Sequence, residues 1–191
     1  MIHSKKDLKE CLSYEYKKYF KNKKRIIVWV LSKLKLGEKY IIWDFQKKLR
    51  KLEYHINLKH KIRHIIYKLK VSRLSNKYGL HISPNCFEKG LRIMHLGYIY
   101  VNEKAKIGQD CSIHVNTYIV AGGYTNDAPT LGNRIIIGVW SIIIGGIRIG
   151  DNCAIGAGAV ITKSFGENVT IAGVPAKVIS NNNSDSWRNI N

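Results

Sequence analysis

The chain has 191 residues, 32 Lys+Arg against 13 Asp+Glu, and four cysteines. Its longest early apolar run, Ile26–Leu31, is only six residues, well below the ~20 a helix needs to span a bilayer. The cysteines show no paired spacing and no signal peptide precedes them, so a reduced, cytoplasmic, non-membrane-spanning protein is expected.

The charge is uneven. Residues 1–80 hold 23 Lys+Arg and 6 Asp+Glu, a net of +17, whereas residues 81–191 hold 9 and 7, a net of +2. That break predicts a basic helical unit over residues 1–78. Ile42, Phe45, Leu49, Leu52 and Ile56 fall on one helix face, as do Leu58, Ile62, Ile65 and Leu69, and Gly37 marks a turn. The basic helices fit a solvated polar face equally well as attraction to an anionic membrane surface or an acidic glycan. Trp29 and Trp43 suit a membrane interface or a core. No nucleic-acid-binding motif accompanies the charge, so nucleic acid is not expected.

From residue 79 to 178 the period changes to six. Ile107, Ile113, Ile119, Leu131, Ile137, Ile143, Ile149, Ile155 and Ile161 keep the frame, with Thr125 the one gap. Glycine often follows (Gly108, Gly132, Gly138, Gly150, Gly156), and four positions on the residue is usually small. Six fits neither a helix nor a hairpin. It predicts a parallel β-helix of hexapeptides, apolar side chains inward, each coil burying the next. Cys86, Cys111 and Cys153 occupy the small inward slot and read as core fillers, and Cys11 stands alone.

One irregularity stands out. The hexapeptides starting at Ile82 and Val101 are 19 residues apart instead of 18, and the interval contains His95. A histidine at such a break is a candidate general base.

Segments GLHISPNCFEKGLRIMHLGYIYVNEKAKIG, IGVWSIIIGGIRIGDNCAIGAGAVITKSF and VTIAGVPAKVI resemble the serine acetyltransferase-like branch of the hexapeptide acyltransferases. WDFQKKLRKLEY and SRLSNKYGLHI are similar to the leader of capsule-locus members. The resemblance implies a left-handed β-helix, a homotrimer with sites between subunits, acetyl-CoA as co-substrate and His95 as catalytic base. It implies no metal, and His95 and His114 lack a close third histidine that could complete one.

Two departures are visible. The family places an aspartate before the Ile-x-Pro step to orient its histidine, and this chain has His81. Its Asp-Arg-His-Pro loop reads Asn126, Asp127, Ala128, Pro129 here. Both favour a sugar hydroxyl of a capsular or extracellular polysaccharide, or its precursor, over serine. Serine O-acetylation for cysteine synthesis is the alternative. A non-catalytic scaffold binding anionic surfaces through the basic helices is the alternative of another class.

His114, Asn116 and Asp127 are candidate acceptor-binding residues. His114, 19 residues after His95, would lie one coil above it, or be an exposed corner. The nearest carboxylates in sequence that could orient His95 are Glu103, Asp110 and Asp127. By the same resemblance Gly138, Ala157 and Gly158 would let the pantetheine arm approach the backbone. Lys163 and Lys177 would meet nucleotide phosphates, and Pro175–Ala176 would lie near adenine. The polar tail, residues 179–191, is expected to be mobile.

Overall fold

A computed structural model describes residues 1–123 and 126–188. Four helices come first: α1 (Lys5–Phe20), α2 (Arg25–Leu34), α3 (Glu38–Asn57) and α4 (Lys61–Tyr78). Ser4 caps α1 by accepting a hydrogen bond from Asp7 N at 3.0 Å. Gly37, at φ 98°, makes the turn into α3 that its sequence predicted.

Fourteen short strands, β1–β14 in chain order, then wind into a parallel β-helix with three sheet faces. The first face stacks β1 (Leu80–Ile82), β3 (Ile99–Val101), β6 (Thr117–Val120), β9 (Ile142–Ile144) and β12 (Val160–Ile161). The second stacks β4 (Lys106–Ile107), β7 (Thr130–Leu131) and β10 (Arg148–Ile149). The third holds β2 (Arg92–Ile93), β5 (Ser112–Ile113), β8 (Ile136–Ile137), β11 (Ala154–Ile155), β13 (Thr170–Gly173) and β14 (Ala176–Ser180). Strand β14 pairs antiparallel with β13 and closes the stack.

The apolar residues of the six-residue frame point inward. Ile113, Ile119, Ile137, Ile143 and Ile161 have no exposed surface, and Cys111 and Cys153 fill the same column. The gap at Thr125, which itself lies outside the described residues, has a simple geometric origin. Val101 to Ile107 takes six residues from the first face to the second, whereas Ile119 to Leu131 takes twelve. The interval is two hexapeptides long, so the frame resumes unshifted.

The irregularity near His95 is a compensated pair. Inward residues Ile82 and Phe87 are five apart, Phe87 and Ile93 six, Ile93 and Val101 eight. One side of this coil is therefore one residue short, the next is regular, and the third is two residues long. The surplus bulges at 94–98, where Gly97 adopts φ 143° and a Cβ would fall 2.2 Å from Val115 Cγ2. The single extra residue counted from sequence is the net of these two changes.

The helices dock on the first coil through polar seams as well as apolar contact. Ile42, Phe45, Leu49 and Leu52 of α3 are buried as their periodicity predicted. The matching stripe on α4 is not: Ile62, Ile65 and Leu69 are 76%, 58% and 55% exposed. Periodicity marks an amphipathic face, but a partner decides its burial, and α4 buries Val71 and Leu74 instead. Part of the tail carries regular structure. Residues 184–188 form α5 (Ser184–Arg188), tied to the prism by Ser184 N to Asn152 O at 2.8 Å and Thr170 Oγ1 to Asn182 O at 2.7 Å. A polar composition argues against a core, but these backbone acceptors need no apolar surface.

Candidate functional site

The bulge after β2 carries His95 outward while Leu96 packs against the core, and three buried contacts fix its base. Ile93 N donates to Tyr19 Oη at 2.7 Å, Tyr19 Oη donates to Gln46 Oε1 at 2.8 Å, and Gln46 Nε2 donates to Leu91 O at 2.9 Å. Burial raises the Tyr19 hydroxyl far above its ordinary pKa, so it remains a neutral donor and acceptor. Helices α1 and α3 thus hold the strand from which His95 projects.

His95 is about half exposed, and Nδ1 lies 3.3 Å from Glu38 Oε2. The other Glu38 oxygen accepts from Leu96 N. Glu38 opens α3, 57 residues before His95 in sequence. A carboxylate in its ionised form only accepts, so this contact suits the tautomer with the proton on Nδ1 and the lone pair on Nε2. Among the described residues, no hydrogen bond occupies Nε2. Of the three carboxylates near in sequence, Asp110 faces the helices instead, pairing with Lys18 and accepting from Tyr14 Oη at 2.9 Å.

His114 does come to His95: the ring centroids are 6.1 Å apart. Burial first, then the charges of His95 and Arg92, lowers its pKa below the ordinary value. It is therefore a neutral donor or acceptor at neutral pH, not a cation. Arg92, Met94, Ser112, His114 and Ile136 line a groove of about 270 Å³ on the third face, flanked by Lys18 and Trp187. Glu38, Lys39, Arg92 and Met94 line an adjoining cavity of about 220 Å³ with Tyr19 and Ile42. Arg92, common to both, gave no sequence signal, because an outward basic residue on a strand looks like a solvated one.

The other two candidate acceptor residues sit apart in role. Asn116 is a corner at φ 59° whose N–H donates to Tyr98 O at 2.5 Å. Asp127 lies between β6 and β7, where its carbonyl accepts from Gly122 N at 2.9 Å.

Among the cofactor candidates, Gly138 is accounted for by stacking, since a Cβ there would meet Ile155 O at 2.6 Å. Gly158 differs: at φ 68° its missing side chain would face open space, beside exposed Ala157. Gly158 N donates to Val139 O at 2.8 Å, which aligns this corner with the one carrying Gly138. Lys163 is exposed over the Phe165 ring, Lys177 is exposed on β14, and Ala176 is buried beside Pro175. Among the described residues no cluster of His, Cys, Asp or Glu could hold a metal ion.

With this geometry in place, comparison with known proteins narrows the reading. Residues 128–163 match the family described as "Bacterial transferase hexapeptide (six repeats)". These coils are similar to that family's repeats. Serine acetyltransferase of Buchnera aphidicola subsp. Acyrthosiphon pisum is 33% identical over 113 residues, 57% of this chain and 41% of that protein. The chain thus spans about two fifths of that relative's length. Serine acetyltransferase from Brucella abortus strain S19 superposes with a TM-score of 0.72 at 21% identity, over 94% of this chain and 72% of that one. A serine acetyltransferase solved in complex with CoA superposes with a TM-score of 0.67 at 21% identity, over 92% and 70%.

These relatives overturn one expectation. Absence of the Asp-Arg-His-Pro loop pointed to a sugar hydroxyl, yet relatives 33% and 29% identical over 113 and 131 residues are serine acetyltransferases.

Proposed function

We propose that this chain is an acetyl-CoA-dependent O-acetyltransferase whose acceptor is the hydroxyl of serine. The observation that carries it is the similarity to serine acetyltransferases over 113 residues, on a site where Glu38 meets His95 Nδ1 and no hydrogen bond among the described residues occupies Nε2.

The chemistry needs no covalent enzyme intermediate, because a thioester is already activated. His95 Nε2 removes the hydroxyl proton as the oxygen bonds to the acetyl carbon. A backbone N–H at a coil corner stabilises the developing oxyanion. The carbon–sulfur bond then breaks, and the imidazolium returns its proton to the departing thiolate. His114, kept neutral, donates a hydrogen bond in the cleft, and cationic Arg92 offers a partner for the acceptor's carboxylate. Open space at Gly158 admits the pantetheine arm, with Lys163 and Lys177 for phosphates. The prism is left-handed and trimeric in this reading, with sites between subunits. The test is release of CoA by purified protein with L-serine, compared with N-acetylglucosamine. Turnover confined to the sugar would reject the serine reading.

A second property rests on a different observation. Helix α2 exposes Ile26, Ile27, Trp29 and Val30 at 64%, 49%, 53% and 39%, flanked by Lys24, Arg25 and Lys33. No described helix is long and apolar enough to cross a membrane. An apolar ridge inside a cationic field suits peripheral docking on an anionic bilayer, at about 1 kcal/mol per basic residue that reaches the surface. Full-length protein should pellet with phosphatidylglycerol vesicles at low salt and release as salt rises. Failure to bind at low salt would reject docking.

A further inference from the structure

We infer that Glu38 is the positioning residue of the catalytic base: it fixes both the orientation and the tautomer of His95 from outside the β-helix. This rests on the reading of His95 as base.

The carboxylate is held at two points. One oxygen is anchored by Leu96 N, the backbone donor next to the histidine, and the other meets His95 Nδ1. A carboxylate free to rotate could touch the ring by chance. One tethered to the adjacent peptide tracks the ring wherever the bulge goes. Isolated imidazole favours the tautomer protonated on the other nitrogen, which would be useless as a base here. An acceptor on Nδ1 reverses that preference and exposes the Nε2 lone pair to the cleft.

His81 does not do this here. Its register places it beside Tyr100 on the first face, and among the described residues His81 makes no hydrogen bond to His95. The helices meanwhile have a built attachment there, because Tyr19 and Gln46 bind the backbone at Ile93 and Leu91. With Gly37 turning the chain into α3, Glu38 is delivered to the bulge as the first residue of a docked helix. The helical segment thereby completes the site, and the coils alone would hold His95 without its partner.

Glu38→Gln is the decisive variant. Its amide oxygen must accept from Leu96 N, which turns the NH₂ group toward Nδ1 and forces the proton onto Nε2. In Ser-His-Asp proteases, replacing the aspartate that holds the histidine by asparagine costs about 10⁴-fold for this reason. Glu38 is 44% exposed, so water takes over part of the role and a loss of roughly 10²-fold in kcat is expected, with KM for acetyl-CoA unchanged. Glu38→Ala should lose less than Glu38→Gln, an order that a purely structural role would reverse. The tautomer is read independently of activity from imidazole ¹⁵N shifts, with the His95 signals assigned by their absence in His95→Asn. Wild type should show Nδ1 protonated and Glu38→Gln should show Nε2 protonated. An unchanged tautomer, or a change confined to KM for serine, would overturn the proposal. Full activity in His95→Asn would instead overturn the base assignment.

Discussion

Arg50 donates to Glu15 at 2.7 Å in the seam between the helices and the first coil, and neither side chain has more than 2% of its surface exposed. Glu53 joins at 2.9 Å, and the guanidinium also donates to Phe87 O and Glu88 O. Glu15 and Glu53 in turn accept from Gly90 N and Asn85 N. Every polar group in this seam is paired across the boundary between helices and coils. The two carboxylates hold the Arg50 pKa above its already high value despite burial.

Arg50→Met should therefore destabilise the protein by about 3–5 kcal/mol, because it strands two buried carboxylates and two carbonyls. Adding Glu15→Gln and Glu53→Gln should restore part of that loss, since the stranded charges go with them. Urea melts of the single and triple variants check the order.

His95→Ala should lower turnover by roughly 10²–10⁴-fold while leaving acetyl-CoA affinity nearly unchanged, as expected for loss of a proton acceptor alone. Steady-state kinetics with a separate CoA binding measurement would show it. Loss of CoA binding would mean the substitution had disturbed the coils.

All four thiols should resist modification in the native protein. Burial pushes Cys11 and Cys86 up to about 12 and raises Cys153 as well, and Cys111 has no exposed surface. The reactive thiolate is therefore scarce at pH 8. A disulfide-exchange reagent should report little reaction until denaturant is added, then four thiols per chain.

Stability should fall on mild acidification. His114 has a folded pKa below its unfolded value of about 6.5, so the unfolded chain takes up the proton first. The stability it contributes is complete above about pH 6.5 and is lost as pH falls through the folded value. His55, lowered by burial and by His60, acts in the same direction. His114→Gln should flatten, but not abolish, the decline in melting temperature between about pH 7 and pH 5.

The coils were legible in the sequence because each depends only on its neighbours. A six-residue frame places Ile113 over Ile137 and Cys111 in a sealed slot whatever the rest of the chain does, and a break in the frame exposes His95. Local counting already mattered less at the break itself, where five- and eight-residue intervals summed to one visible surplus. The helical region followed different rules. Equal apolar stripes on α3 and α4 met different fates, Phe45 sealed and Ile62 in solvent, because burial depends on which face finds a partner. Likewise nothing near His95 in sequence announces Glu38. Their meeting is a product of docking, fixed by Tyr19, Gln46 and Arg50 reaching backbone groups of the first coil. Repetition along one axis can be read from spacing, whereas a contact between a helix end and a coil corner exists only once the chain has packed.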